Sequence, residues 1–276
     1  MWTESKYKKI YKQNKSVVLY MNLSIYQKDI LQKYKSNSQI ARVLTEKWFS
    51  SEMYCPCCLN KKIINYPNNK KAIDFFCEKC KNDFQLKSSK KPFGKKVIDG
   101  EFNTMISVIK KGDSPNFFIL HYSSDEWIIK NLIMIPKFFV TLSMLEKRKP
   151  LSQNARRAGW VGCNFLLDKL PKEGKIHIIK DGKIENKEEV NKIWRKMFFL
   201  ANKRPEFRGW TSDVLRIVQK QGKIFKLDDI YKYEKYFKEL YPENNNIRAK
   251  IRQQLQILRD NKIIRFKKRG LYEVLE

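Results

Sequence analysis

The chain has 276 residues, room for one large domain or two ordinary ones, and its 42% hydrophobic and 13% aromatic content is enough for a buried core. Its 58 Lys and Arg against 29 Asp and Glu leave a formal charge of +29, which points to a polyanionic partner or else to a surface of solvated lysine. No apolar run approaches the ~20 residues of a membrane span, and the basic N-terminus lacks the apolar core and cleavage site of a secretory signal, so a cytoplasmic protein with no membrane partner is expected.

Residues 1–20 read as a basic N-terminal extension, and Met21 offers a second start. Residues 23–49 read as helix with a polar break at Ser36–Ser38; beyond it Ile40, Leu44 and Trp48 recur at helical spacing. "AIDFF" (72–76) and "DFQLK" (83–87) are short aromatic strands joined by a compact link. "FNTMISVIKK" (102–111) reads as helix, and "PNFFILHY" (115–122) and "WIIKNLIMIP" (127–136) as strands. The basic stretch "KRKPLSQNARRAGWVGCN" (147–164) has little periodicity and reads as a long loop, of a length that is often functional. "KIHIIKDG" (175–182) is a further strand and "KEEVNKIWRKMFFLA" (187–201) a helix. This mixture predicts an α/β or α+β domain to about residue 183, and the polar stretch near Asn202–Pro205 sets the domain bounds at 21–203, with α/β as the expected class. Residues 204–276 change rhythm: three helical stretches, then two short strands about a basic turn, which is the winged-helix plan.

Cys55 and Cys58 form one Cys-x-x-Cys pair, and Cys77 and Cys80 a second. Two such pairs supply the four soft ligands of a tetrahedral Zn2+ site, and disulfides or a redox pair are the alternatives. Four cysteines leave no open coordination position, so the zinc is expected to be structural. Cys57 has the wrong spacing to pair with Cys58, and Cys163 stands alone.

Strand side chains alternate, so Gln85 and Lys87 share a face while Phe84 and Leu86 point the other way. If the two strands form a hairpin, Asp74 faces that pair. Asp74, the Gln85 oxygen and a backbone carbonyl such as that of Leu86 are hard ligands suited to Mg2+, and Lys87 suits orienting a water or offsetting charge. Spacing alone is a weak signal and reads more readily as ordinary surface residues.

On the helix Asn246–Asp260, Ile247, Ile251, Leu255 and Leu258 gather on one side. Asn246, Ala249, Gln253 and Gln256, flanked by Lys250 and Arg252, form an amide-rich face that suits a DNA major groove or simply solvent. Lys267, Lys268 and Arg269 fall at the wing turn, placed for phosphate. Arg156, Arg157 and Trp160 stand in the long loop, where arginine suits phosphate or guanine and the indole suits a base or anchors the loop.

The segments "YKSNSQIARVLTEKW", "YCPCC", "DFFCEKCKNDFQLKS", "NFF", "RKPL", "ARRAGWVGCN" and "KIRQQLQILRD" occur in an order that resembles the DpnI family of methyl-directed restriction endonucleases, over residues 22–275. The resemblance implies a PD-(D/E)xK nuclease core with an embedded zinc site and a C-terminal winged helix. It implies Mg2+-dependent cleavage of double-stranded DNA at GATC carrying N6-methyladenine, by a monomer. By position it makes Asp74, Gln85 and Lys87 the catalytic set and Cys55, Cys58, Cys77 and Cys80 the zinc ligands. It also makes the 147–164 loop the reader within the catalytic domain. The family has Glu where this chain has Gln85, which leaves a catalytically weakened methyl-DNA-binding protein as an alternative. A winged-helix transcription regulator is another. Glu46 is a candidate extra acid near the metal, or a solvent-facing helical residue.

Overall fold

A computed structural model describes residues 7–275 apart from 12–16, 27–29, 31 and 67–72. The chain forms two compact units that interleave along the sequence. The first comprises residues 1–94, 115–137 and 175–195; the second comprises 95–114, 138–174 and 196–276. No helix among the described residues is long and apolar enough to cross a membrane.

The first unit is built on a sheet of order β1-β2-β8-β7-β5-β4-β3, with β11 and β12 attached beside β8. Strands are numbered in chain order: β1 Tyr7–Tyr11, β2 Val17–Asn22, β3 Ile64–Asn65, β4 Phe75–Phe76, β5 Asp83–Ser89, β7 Asn116–Ser123, β8 Ile128–Ile135, β11 Ile176–Lys180 and β12 Lys183–Ile184. Residues 1–20, expected as an extension, therefore carry strands: β1 pairs with β2, and β2 joins the sheet through Met21 opposite Ile129. Strands β5 and β7 run parallel, and all the other pairings in this sheet are antiparallel. Helix α1 (Asn37–Glu52) buries Ile40, Ala41, Leu44, Thr45, Trp48 and Phe49. Phe49 packs on Phe75 at 4.6 Å and Phe118 at 4.7 Å, and Phe84 meets Phe118 at 5.5 Å, so α1 covers the Phe84 face of β5. The part of the 23–49 helix at 27–29 and 31 lies outside the described residues. Helix α3 (Lys187–Lys196) closes the unit, and the rest of the expected 187–201 helix is a 3-10 turn at Phe198–Leu200.

The second unit opens with β6 (Lys96–Glu101) and α2 (Phe102–Lys111). The Glu101 carboxylate caps that helix by accepting from the Asn103 and Thr104 N–H groups, and Gly112 at φ 81° ends it. β6 pairs with β10 (Gly162–Leu166), which pairs with β9 (Leu145–Lys147), so the expected 147–164 loop is framed by strands at both ends. Then follow α4 (Pro205–Lys220), β13 (Ile224–Lys226), α5 (Leu227–Tyr231), α6 (Glu234–Leu240), α7 (Ile247–Asp260) and the wing strands β14 (Ile264–Lys268) and β15 (Leu271–Val274). The second of the three expected helices is thus two, and a short strand precedes it; β13, β15 and β14 form the wing sheet. Trp210 stacks on Tyr241 at 4.0 Å and on Phe237 at 5.5 Å at the centre of these helices. This is a mixed α/β protein with a C-terminal helix-turn-helix domain.

Candidate functional site

The cysteines of the two pairs come together. Cys55 Sγ lies 3.6 Å from Cys80 Sγ, Cys58 Sγ lies 3.6 Å from Cys77 Sγ, and all four sulfurs lie within 4.8 Å of one another. Zinc–sulfur bonds of about 2.3 Å in a tetrahedron put neighbouring sulfurs about 3.8 Å apart, so the cluster has the dimensions to hold zinc.

The two halves are built alike. In each, the residue after the second cysteine turns back with positive φ, Leu59 at 61° and Lys81 at 57°. Its N–H donates to the carbonyl of the first cysteine, and the next residue, Asn60 or Asn82, accepts from that cysteine's N–H. The Asn82 amide donates to Cys80 Sγ at 3.3 Å and the Asn60 amide to Cys77 Sγ at 3.8 Å. Such outer partners orient thiolates and offset their charge. The first loop is held from behind by Asn191 of α3, whose amide donates to the carbonyls of Pro56 and Cys57. Burial pushes the Cys57 thiol up, in keeping with its place outside the four. Asn60, Asn82 and Asn191 escaped the sequence reading, although Cys-x-x-Cys-x-Asn occurs twice and was there to be seen.

Beside this cluster, β4 pairs with β5 by setting Phe75 opposite Phe84 and Phe76 opposite Asp83. Continuing that register puts Asp74 opposite Gln85. The Asp74 N–H donates to the Phe84 carbonyl at 3.0 Å, and its carboxylate Oδ2 accepts from the Leu86 N–H at 2.8 Å. A side-chain oxygen thus takes the ladder position that a strand carbonyl would fill. In a strand, the N–H and C=O of one residue point to the same edge, so the Leu86 carbonyl points toward Asp74 as well. Gln85 and Lys87 leave β5 on the face opposite the fully buried Phe84, each half-buried. Sequence alternation and observed register therefore bring Asp74, Gln85, Lys87 and the Leu86 carbonyl to one strand edge.

Helix α1 lies on the other face of β5, against the side that carries Phe84 and Ser88. Thr45 Oγ1 donates to Ser88 Oγ at 3.2 Å, and Arg42 Nε donates to Glu46 Oε1 at 2.7 Å. The Glu46 hydrogen bond and charge, with a smaller attraction from Asp74, hold the Arg42 guanidinium above its ordinary range. Arg42 was not singled out in the sequence.

In the second unit, Ile247, Ile251, Leu255 and Leu258 are buried on one side of α7, and Asn246, Ala249, Arg252, Gln253 and Gln256 are exposed, with Lys250 half-exposed. Arg252 Nη1 donates to Tyr231 OH at 2.9 Å, which orients it at the edge of that face. Lys267, Lys268 and Arg269 are exposed at the wing beside Phe266, which is itself 51% exposed and which no sequence pattern singled out.

The 148–161 loop is closed at its base, where the Arg148 N–H donates to the Gly162 carbonyl and the Leu151 N–H to the Trp160 carbonyl. Arg156 and Arg157 are exposed, and Trp160 is half-buried with the Arg157 guanidinium 5.5 Å from its ring centre.

The family model described as DpnI, Dam-replacing family, matches residues 21–203, and that of the Dam-replacing HTH domain matches 206–274. The chain belongs to the DpnI family. That membership makes it one of a family of methyl-dependent restriction endonucleases whose C-terminal helix-turn-helix domain binds DNA. The exposed amide face of α7 and the basic wing lie inside the second match, and the four cysteines with Asp74, Gln85 and Lys87 lie inside the first.

Proposed function

We propose that this DpnI-family chain is a Mg2+-dependent endonuclease of the PD-(D/E)xK class that cuts double-stranded DNA at GATC sites carrying N6-methyladenine. In this reading it acts as a cytoplasmic monomer, with a catalytic domain over 21–203, a winged-helix domain over 204–276 and a structural zinc on Cys55, Cys58, Cys77 and Cys80. The observation that carries the reading is the Asp74 edge. A carboxylate, an amide oxygen and a peptide carbonyl are all hard oxygen donors, the set that Mg2+ prefers.

Asp74, Gln85 and the Leu86 carbonyl hold the ion, which when bound polarises the phosphoryl group and lowers the pKa of a water. Lys87, two residues beyond Gln85 on the same face, offsets the charge that develops on the phosphate. The α7 face reads the major groove: Gln253 and Gln256 have the donor and acceptor for adenine N6 and N7, and Ala249 leaves apolar room for a methyl group. Lys250, Arg252, Lys267, Lys268 and Arg269 neutralise phosphates. Arg156, Arg157 and Trp160 present a second cationic and aromatic surface to the same DNA.

A second reading rests on Gln85: a neutral oxygen attracts Mg2+ less than a carboxylate, and a chain that binds methylated DNA without cutting fits that weakness. Digestion of methylated and unmethylated plasmid with Mg2+, beside a binding assay, separates the two. Cutting confined to methylated DNA is expected. Equal cutting of both sinks the methyl-directed reading, and selective binding without cutting favours the second.

A further inference from the structure

We propose that Phe266 is an apolar wedge at the wing that presses its ring into the DNA beside the methylated site, so that the ease of deforming the flanking base steps sets how tightly a given site is held. The inference rests on the reading of residues 204–276 as the DNA-binding winged helix. It adds to that reading a specificity that comes from outside the recognised bases.

Residues in register across antiparallel strands share a face. β14 sets Phe266 opposite Tyr272, and β13 sets Phe225 opposite the same Tyr272. The three rings form a row: Phe225 and Tyr272 stack with centres 5.3 Å apart, and Phe266 meets Tyr272 edge-on at 5.9 Å. Burial falls along the row, from Phe225 at 2% exposed through the half-buried Tyr272 to Phe266 at 51%. The inner rings thus anchor the outer one, and a ring with two side-chain torsions loses little freedom on contact. The other face of the wing is closed by charge. Glu273, itself buried, accepts from Arg265 Nε at 2.7 Å and pairs with Lys267 at 3.4 Å. At the turn, the Leu227 N–H donates to the Gly270 carbonyl at 2.9 Å, which ties the wing to the start of α5. These ties hold the wing, and with it the direction of the ring.

The row borders the recognition helix. Tyr272 lies within reach of the charges of Arg252 and Arg259 on α7. At ~100° per residue these two arginines share one flank of α7, next to the face that carries Ala249 and Gln256. A helix with its side chains is ~10–12 Å across and fills a major groove ~12 Å wide, so an element on the flank of a seated helix lies across the phosphate wall, toward the neighbouring minor groove. There the exposed Arg259, Lys268 and Arg269 suit phosphates, and the ring among them suits sugar edges and a base step. A partner that is anionic and also covers apolar surface matches this mixture, and duplex DNA is both. Phe266 has no donor or acceptor with which to read a base edge. What a wedge reads is how readily a step opens, and pyrimidine–purine steps open most easily.

The test uses the full zinc-loaded chain without Mg2+, so that binding is read without cleavage. Duplexes carry one methylated GATC flanked either by TA and CA steps or by A-tracts, with 2-aminopurine at the flanking step. The wild type should hold the flexible flanks about 10-fold more tightly, the scale of one base pair's contribution. Emission from 2-aminopurine should rise on binding as the step unstacks. Phe266→Ala should lose the flank preference and the emission rise, keep its preference for methylated DNA, and leave the dependence of affinity on salt unchanged. Phe266→Leu, another apolar wedge, should retain the flank preference. Lys268→Ala should instead weaken both flanks alike and lower the slope of log affinity against log salt by about 1. A wild type that binds both flanks equally, or gives no emission rise, overturns the inference whatever the variants do. A Phe266→Ala protein that keeps the flank preference overturns it too. Wild-type protein that binds methylated and unmethylated duplexes alike sinks the methyl-directed reading, and a flank preference lost with Phe266→Ala in that same protein leaves the wedge standing.

Discussion

The two compact units fix their polar groups by opposite means. In the first, the described residues between Met53 and Asn82 hold only the two-residue strands β3 and β4, and four clustered sulfurs lie among them. In the second, a carboxylate is buried behind the helices: Asp213 is fully buried and accepts from Tyr241 OH at 2.7 Å and Ser143 Oγ at 3.1 Å. Nearby, Thr211 Oγ1 donates to the buried Gln254 at 2.7 Å and so ties α4 to the inner side of α7. A metal cluster rigidifies irregular chain that has little core of its own. A buried polar network instead sets the rotation and register of helices that already have a core, at a cost in desolvation. With zinc bound the first device would depend on an ion; the second depends on pH.

Ion removal should produce the largest effect. Chelation, or Cys77→Ser, removes a site whose binding free energy is on the order of 10 kcal/mol in zinc-dependent folds. Hydrogen exchange should rise over residues 53–84 first, while α4 and α7 stay protected. Loss of protection in both units together would break the contrast. Next in size is Asp74→Ala, expected to lower cleavage by about a thousandfold or more, the scale of several kcal/mol of transition-state stabilisation. Zinc content should not move, and the thermal transition should fall only by what the lost bond from the Leu86 N–H costs, about 1 kcal/mol. A concurrent loss of zinc would mean that Asp74 supports the cluster rather than the chemistry.

These groups differ in how far the sequence revealed them. The cysteine cluster was legible because all four ligands lie within one short stretch and the spacing of each pair is dictated by the metal. The long strands β5, β7, β8 and β11 were legible from runs of aromatic and β-branched residues, and α7 from its four buried aliphatic positions. Strands β1 and β2 were not, because lysines make "YKKIY" look like a tail and β2, with which it pairs, joins the sheet through β8, more than 100 residues away. The break between α5 and α6 at Lys232–Tyr233 has neither Gly nor Pro to mark it. Arg42 comes within reach of the Asp74 charge only through the packing of α1 on the sheet, as of Phe49 on Phe75, a contact that no local pattern encodes.

The buried carboxylate gives a prediction of intermediate size. Burial pushes the Asp213 pKa up to about 6, against the pull of the Tyr241 hydrogen bond and the Arg216 charge. The folded value lies above the unfolded one, so the native state holds the proton more tightly between pH ~4 and ~6 and stability falls as pH rises through that window. The loss is on the order of 3 kcal/mol. Asp213→Asn should flatten the fall, read as denaturant midpoints at pH 4 and pH 7. An unchanged slope would mean that the second unit does not rest on this network.

The smallest effect tests whether the loop of the second unit is held in shape without a metal or a buried charge. A methyl group on Gly162 would lie 2.8 Å from two atoms of the Trp160 ring, closer than side chains approach, and 3.5 Å from Arg148 Cδ. Gly162 thus provides the seat on which the indole lies, with Arg157 over the ring and the loop base closed from Leu151 to Trp160. Gly162 is a strand residue paired with Glu101, so alanine is compatible with its backbone and the clash alone is tested. Gly162→Ala should lift the ring from its seat at a cost of about 1 kcal/mol, an ordinary overpacking penalty. If Trp160 touches DNA from this seat, discrimination between methylated and unmethylated DNA should fall more than stability does, and tryptophan emission should shift. A variant with altered stability but intact discrimination would make Trp160 only the anchor of the loop, and would leave the exposed arginines Arg156 and Arg157 to meet the DNA.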